Sequence, residues 1–265
     1  MFGKNPPSMP SLDLIISNDP HSPILEAFKM IRTNIEFSAI DKTIRVLNVT
    51  SAGQGEGKST VLVNLSIAFA MIGRRVLLID ADLRRPYIHR LLGLSNRRGV
   101  TNALLSHEDY HDYVQPTKFD NLSVLTAGPI PPNPAELLMS DSMGRLIEAT
   151  QQDYDMVFID CPPVGVITDA AIISRKVDGT IFVVRSGVTD KRLLKKAIDH
   201  LNQVNAHVLG FVYNGVAQNS DDYYYQNQYY AEGLAVKHPK SKKRVKNVTG
   251  VRPVKSGSVT SQKND

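Results

Sequence analysis

Six apolar, β-branched runs recur along the chain, separated by stretches of mixed polarity. IRVLNVTS from Ile44, RVLLIDAD from Arg75, LSVLTAG from Leu122, DMVFIDCPP from Asp155, GTIFVVRS from Gly179 and HVLGFVYNG from His207 read as buried strands. Residues 58–72 read as a helix that Gly73 stops, and 140–152, 169–176 and 191–203 read as further helices. Before the first strand, SPILEAFKMIRTNIEFSAI opens a helix after Ser22, with Pro23 in its first turn. On it Ile24, Phe28, Ile31 and Ile35 fall within about 60° of arc and should dock on the core. Glu26, Lys29 and Arg32 fall on the other side. Continuous apolar strands alternating with helices predict an α/β fold, a mostly parallel central sheet covered by helices on both faces. In such sheets ligands bind beyond the carboxyl ends of the strands. No internal repeat is visible.

Composition supports one large domain with tails. The chain has 265 residues, 42% hydrophobic and 22% charged, which excludes wholesale disorder, collagen and disulfide scaffolds. The single cysteine, Cys161, has no intramolecular partner and fits a reducing cytoplasm. The longest apolar stretch, 61–72, contains Asn64 and Ser66 and is too short to span a bilayer. The first residues lack the apolar run of a signal peptide, so any membrane anchor is expected to come from another polypeptide. Beyond residue 235, nine Lys or Arg stand against one acid, so +8 of charge sits there and the preceding body carries −3 of the net +5. The basicity therefore belongs to a tail, and no specific nucleic-acid binding is expected. The tail reads as disordered; it either solubilises the chain or is drawn to an anionic membrane or polyanion. The resulting division is a flexible lead at 1–18, a P-loop domain at 19–218, a tyrosine cluster at 219–232 and a basic tail at 233–265.

The loop after the first strand, TSAGQGEGKST, matches G-x-x-x-x-G-K-[ST] with Ala52 at the first glycine position. Gly53, Gly55 and Gly57 permit positive φ and close backbone approach, so the amides of Gly53, Gln54, Gly55, Glu56 and Gly57 can turn towards phosphate oxygens. Lys58 supplies charge to the β- and γ-phosphates and Ser59 a hydroxyl to Mg²⁺, with Thr60 a weaker contact. The pattern predicts binding of a nucleoside triphosphate.

Asp80 and Asp82 follow the second strand, two residues apart, and Asp160 ends another. Three carboxylates converging near a triphosphate loop repel one another without a cation, and so imply Mg²⁺. One such acid can serve the metal's water shell and another the incoming hydroxyl. Arg84 and Arg85 are placed either to stabilise developing charge or to pair with nearby acids. Cys161 has no visible activating base and reads as a small buried filler.

Five of the ten tyrosines lie in SDDYYYQNQYY: Tyr223, Tyr224, Tyr225, Tyr229 and Tyr230. Too few aliphatic residues surround them for a core. They are a stacking platform, an adhesive segment or phosphate acceptors, and Asp221 and Asp222 give the acidic context of the last. Each phosphate would bring about −1.5 to −2 charges, so five would offset the basic tail.

These motifs resemble the bacterial tyrosine kinases of capsular and exopolysaccharide synthesis, from about Asp19 to Tyr230. GEGKST is similar to their Walker A, LLIDADLRRP to their Walker A′, VFIDCPPV to their Walker B, and the tyrosine-rich end to their autophosphorylation cluster. The resemblance implies that Lys58, Ser59, Asp80, Asp82 and Asp160 bind MgATP, that Asp80 is the base on tyrosine, and that Asn214 approaches the adenine. It implies an oligomerisation motif at Glu26, Lys29 and Arg32, with Lys29 where the family carries arginine. It further implies a ring-like homo-oligomer phosphorylating in trans, since a short tether from the last strand need not reach its own site. A transmembrane polysaccharide co-polymerase as activator, a cognate phosphotyrosine phosphatase, and a cytoplasmic location at the membrane's inner face through that partner are implied too. The fold is also similar to the deviant-Walker, MinD/ParA-like ATPases. Those carry a signature lysine five residues before the loop lysine, where Gly53 stands here. An ATPase switch or a nucleotide-binding scaffold without kinase activity are the rival readings.

Overall fold

The computed structural model describes residues 22–38, 43–106 and 108–216. The lead at 1–18, the tyrosine cluster and the basic tail lie outside the described residues. Seven strands form one sheet: β1 (Val46–Ser51), β2 (Val76–Asp80), β3 (Gln115–Pro116), β4 (Leu122–Leu125), β5 (Met156–Asp160), β6 (Gly179–Arg185) and β7 (Val208–Asn214). Their order is β3-β4-β2-β5-β1-β6-β7. β3 runs antiparallel to β4, and the other pairings are parallel. The helices are α1 (Pro23–Phe37), α2 (Lys58–Ala70), α3 (Ile88–Leu92), α4 (Val100–Leu105), α5 (Pro134–Met139), α6 (Asp141–Asp153), α7 (Asp169–Ser174) and α8 (Lys191–Gln203), with a 3₁₀ turn at Tyr110–Tyr113.

Successive strand residues point to opposite faces, and both faces are covered. Leu47, Val49, Leu78 and Phe158 meet α1, α2 and α3, whereas Val46, Leu77, Ile79, Val157 and Phe182 meet α4 to α8. Polar groups inside this sheet are paired. The Asn48 amide donates to Ser174 Oγ at 3.0 Å, and Thr180 Oγ1 donates to Asn48 Oδ1 at 2.7 Å, joining β1, β6 and α7. Asp178 Oδ2 accepts the amides of Arg45 and Val46, both at 2.8 Å, and so holds the start of β1 beside β6.

α1 begins as its sequence predicts: Ser22 Oγ accepts the Ile24 amide and Pro23 occupies the first turn. Its docking face is rotated from the expected one. Leu25, Phe28 and Ile35 are buried, while Ile24 is 37% exposed and Ile31 only partly covered. The polar side is not free either. Arg32 Nη1 donates to the Ala68 carbonyl at 2.7 Å, in the last turn of α2, where a cation also meets the negative end of the helix dipole. Lys29 Nζ pairs with Glu26 Oε1 at 2.7 Å on α1 itself.

Parallel pairing sets the site. β1 lies between β5 and β6, and the register puts Asp80 directly beside Asp160. All three strands point their carboxyl ends at the loop that follows β1.

Phe158 is fully buried and packs edge-to-face on Phe69 of α2, with ring centroids 5.3 Å apart. Phe158→Ala is expected to lower stability by about 3–5 kcal/mol, read as a shift in the denaturant midpoint at unchanged slope.

Candidate functional site

The segment 52–57 turns between β1 and α2 around its own carboxylate. Glu56 is buried, and its Oε2 accepts the Ala52 amide at 3.0 Å; burial, opposed by hydrogen bonds from Thr189 and the loop amides, raises its pKa. The Glu56 side chain thus braces the loop from within. Two contacts hold the loop from outside: Arg185 Nη1 donates to the Gly55 carbonyl at 2.7 Å, and Asn214 Nδ2 to the Glu56 carbonyl at 3.0 Å. Asn214 thus touches the loop through its side-chain amide. Gly57 has φ +90°, and a Cβ there would lie 2.2 Å from Asn214 Nδ2, so only glycine fits. Gly55 also has positive φ, whereas Gly53 does not; Gly53 is confined instead by Leu193 and Glu56.

Lys58 opens α2 and reaches into the acids. Its Nζ lies 3.1 Å from Asp82 Oδ2, 3.3 and 3.4 Å from the Asp160 oxygens, and 3.2 Å from Ser59 Oγ. Ser59 Oγ donates to Asp160 Oδ2 at 2.5 Å. Burial disfavours the ammonium, but the Asp160 and Asp82 charges outweigh that and raise its pKa. Asp160 is itself raised, chiefly by burial, against the pull of Lys58.

Asp80 and Asp82 share a strand end but not a task. Asp82 lines the cleft beside Lys58. Asp80 is fully buried: its Oδ1 accepts the Asp82 amide at 3.2 Å, and its Oδ2 accepts the amides of Tyr87 and Ile88 at 3.1 Å each. It caps α3 and shapes the loop 81–87. Burial and then the Asp160 charge push its pKa up to about 8, against Lys58 and the Ile88 amide. The three acids do not make a metal cage by themselves; among the described residues, no group of three His, Cys, Asp or Glu is arranged to hold an ion. Mg²⁺ typically keeps water and takes one or two carboxylates plus substrate phosphates. Ser59, Asp82 and Asp160 are hard oxygen donors that fit this role.

Arg84 pairs with a buried acid. Its Nε donates to Asp169 Oδ2 at 2.7 Å and its Nη2 to Oδ1 at 3.2 Å, and Asp169 is fully buried at the start of α7. Arg85 Nη1 donates to Gln54 Oε1 at 2.7 Å. Around these groups lies a cleft of about 510 Å³, lined by Thr60, Arg84 and Arg85 on its polar side and by Pro162, Pro163, Val166 and Ile167 on its apolar side. The apolar wall, Asp169 and Arg185 were missed from the sequence. Cys161 is buried, and burial pushes its thiol pKa up, so it serves as packing.

The ParA family model, described as NUBPL iron-transfer P-loop NTPase, matches residues 42–253. The chain is 42% identical over 224 residues to the tyrosine-protein kinase YwqD of Bacillus subtilis, covering 84% of this chain and 94% of that one. Among solved structures it is similar to the chimerical protein CapA2B2, with a TM-score of 0.75, 37% identity, and 80% and 92% of the two chains covered. It is also similar to the kinase domain of the Escherichia coli tyrosine kinase ETK, with a TM-score of 0.74, 31% identity, and 83% and 84% covered.

Gly57→Ala tests the loop geometry. A left-handed alanine costs the folded chain about 1–2 kcal/mol, so the melting temperature should fall by a few degrees; the loop must also shift away from Asn214, so nucleotide affinity should fall by about tenfold. Titration with a fluorescent ATP analogue reads this; an unchanged dissociation constant would contradict it.

Proposed function

The chain belongs to the bacterial tyrosine-protein kinases, within the ParA-type P-loop NTPases, and on that premise we propose that it is an autokinase acting on its own tyrosine cluster. It would transfer the γ-phosphoryl group of ATP to Tyr223, Tyr224, Tyr225, Tyr229 and Tyr230 and thereby regulate capsular or exopolysaccharide synthesis and chain length. The observation that carries the reading is the clustering of Lys58, Ser59, Asp82 and Asp160 at one cleft, in a chain 42% identical to a tyrosine kinase over most of its length.

In this reading the amides of residues 53–57 cradle the phosphates, and Lys58 leaves its acids to follow the β- and γ-oxygens. Ser59, Asp82 and Asp160 would hold Mg²⁺ directly or through water, and the ion would supply charge neutralisation on the phosphates. The phenol oxygen bonds to the γ-phosphorus as the bond to the β,γ-bridging oxygen breaks, leaving ADP. On the family resemblance the phenol proton goes to Asp80, which is fully buried, so the loop 81–87 must open to admit the phenol. For this the Tyr87 or Ile88 amide must release Oδ2. Arg84 keeps Asp169 neutralised and the cleft wall in place.

Transfer between neighbouring copies is retained from the family resemblance alone. The tether does not require it. Asn214 touches the chain's own phosphate loop, and the nine residues from Gly215 to Tyr223 reach at most about 30 Å. The interface motif also carries a condition: Arg32 is engaged with α2 and Glu26 with Lys29, so a partner subunit would have to compete for them. A transmembrane co-polymerase as activator and a phosphotyrosine phosphatase complete the proposal, with the chain held at the inner face of the membrane through the activator. No helix among the described residues is long and apolar enough to cross a membrane.

The ParA match keeps an ATPase switch as the second reading. Iron–sulfur carriage has little support in a chain with one cysteine, and that one buried. Incubation with labelled ATP and Mg²⁺, with and without an activator's cytoplasmic tail, separates the classes. Phosphotyrosine is expected; free phosphate alone would favour the switch, and neither product a scaffold. Lys58→Met should reduce the signal by about a hundredfold or more. Changing the five tyrosines to Phe should remove the acceptors yet spare transfer to an added tyrosine peptide. The initial rate per molecule should rise with protein concentration, and independence of concentration would overturn transfer in trans.

A further inference from the structure

A second groove of about 670 Å³ adjoins the nucleotide cleft and shares Arg84, Arg85 and Tyr87 with it, then extends to His89, Arg90 and Ile130. The segment that builds it carries one sign of charge. From Leu83 to Ser106 there are five arginines and no aspartate or glutamate, in a body whose net charge is −3. Arg84 is neutralised by Asp169 and Arg98 by Glu108. The Arg85 amide donates to Asp82 Oδ1 at 3.0 Å, but its guanidinium meets only the neutral Gln54 side chain, and exposed Arg90 has no ion-pair partner among the described residues. Two guanidinium groups therefore face one groove without a counter-charge. Ile130, 65% exposed, and Tyr87, 39% exposed, add apolar surface at its edge.

The same sequence contains a complement. Asp221 and Asp222 immediately precede Tyr223, Tyr224 and Tyr225. In an extended chain, residues two apart are about 6.5–7 Å apart, so an acid in this groove leaves a tyrosine free to enter the adjoining cleft. Arginine is suited to such carboxylates because its planar fork donates two parallel hydrogen bonds. We propose that this groove is the substrate-docking subsite of the kinase. In it Arg85 and Arg90 recognise Asp221 and Asp222 of a second copy's tyrosine segment, residues 220–225. The proposal rests on the kinase reading and adds its specificity determinant: an acidic side chain just before the acceptor tyrosine.

The test uses the full chain with Mg²⁺ and ATP and two synthetic peptides, SDDYYYQNQYY and its Asp→Asn counterpart SNNYYYQNQYY. The neutral peptide should show a KM higher by about three- to tenfold, the range expected for two partly exposed charge contacts, with kcat little changed. Arg90→Glu should impose the same loss on the acidic peptide. A peptide carrying Lys at both acidic positions should recover that affinity with the Arg90→Glu chain, a rescue that a merely structural role would not produce. Equal KM values for the two peptides, or a loss in Arg90→Glu without rescue, would overturn the proposal. If no peptide gains phosphotyrosine, the kinase reading fails by itself. Fluorescence anisotropy of labelled peptides then still ranks docking: acidic above neutral supports the groove, and equal affinities refute it.

Discussion

Lys58 Nζ stands 3.1–3.4 Å from carboxylate oxygens of Asp82 and Asp160, and both acids are almost entirely removed from water. Parallel pairing of β2 with β5 creates the problem that this ammonium solves. The register forces Asp80 against Asp160 at adjoining strand ends, where burial and then the Asp160 charge raise the pKa of Asp80. An unpaired buried charge costs several kcal/mol, and the Lys58 ammonium offsets that cost for Asp82 and Asp160. In the proposed reaction Lys58 would turn to the triphosphate, and Mg²⁺ arriving with the nucleotide would supply the positive charge the acids then lack.

The loop that presents Lys58 is shaped by contacts with distant parts of the chain. Glu56 braces it from inside, Arg185 holds Gly55, and Asn214 at the end of β7 holds Glu56 while packing where a Cβ on Gly57 would be. The last strand of the sheet therefore reports directly to the first phosphate-binding amides. Arg84 does the corresponding work on the opposite wall. By neutralising Asp169 it keeps α7, and with it the apolar side of the cleft, beside the loop that Asp80 organises.

The buried strands and long helices were legible in the sequence because each is a strong local signal. β1, β2, β5 and β6 are continuous β-branched runs, and α8 begins and ends where its pattern places it. The short α3, α4 and α5 were not legible. With five or six residues each they show too few turns for a period, and they are held by tertiary groups, as α3 is by Asp80. On α1 the apolar arc was found but its centre was misjudged, because Leu25 and not Ile24 faces α2. At the site, Lys58, Ser59, Asp82 and Asp160 came from motif spacing alone. The roles of Arg84 and Asp80 did not, since Arg84 is committed to an acid 85 residues away and Asp80 to amides of its own loop. Spacing identifies the groups that share a strand end; only the folded chain shows which of them face the cleft.

The account stands on Lys58 exchanging its carboxylate partners for a metal-bound triphosphate. A crystal structure with a non-hydrolysable ATP analogue and Mg²⁺ measures this directly. The account predicts Lys58 Nζ on the β- and γ-oxygens, withdrawn from Asp160, with the ion beside Ser59 Oγ on the Asp82 and Asp160 side. Lys58 still bonded to Asp160, with the triphosphate seated elsewhere, would contradict it.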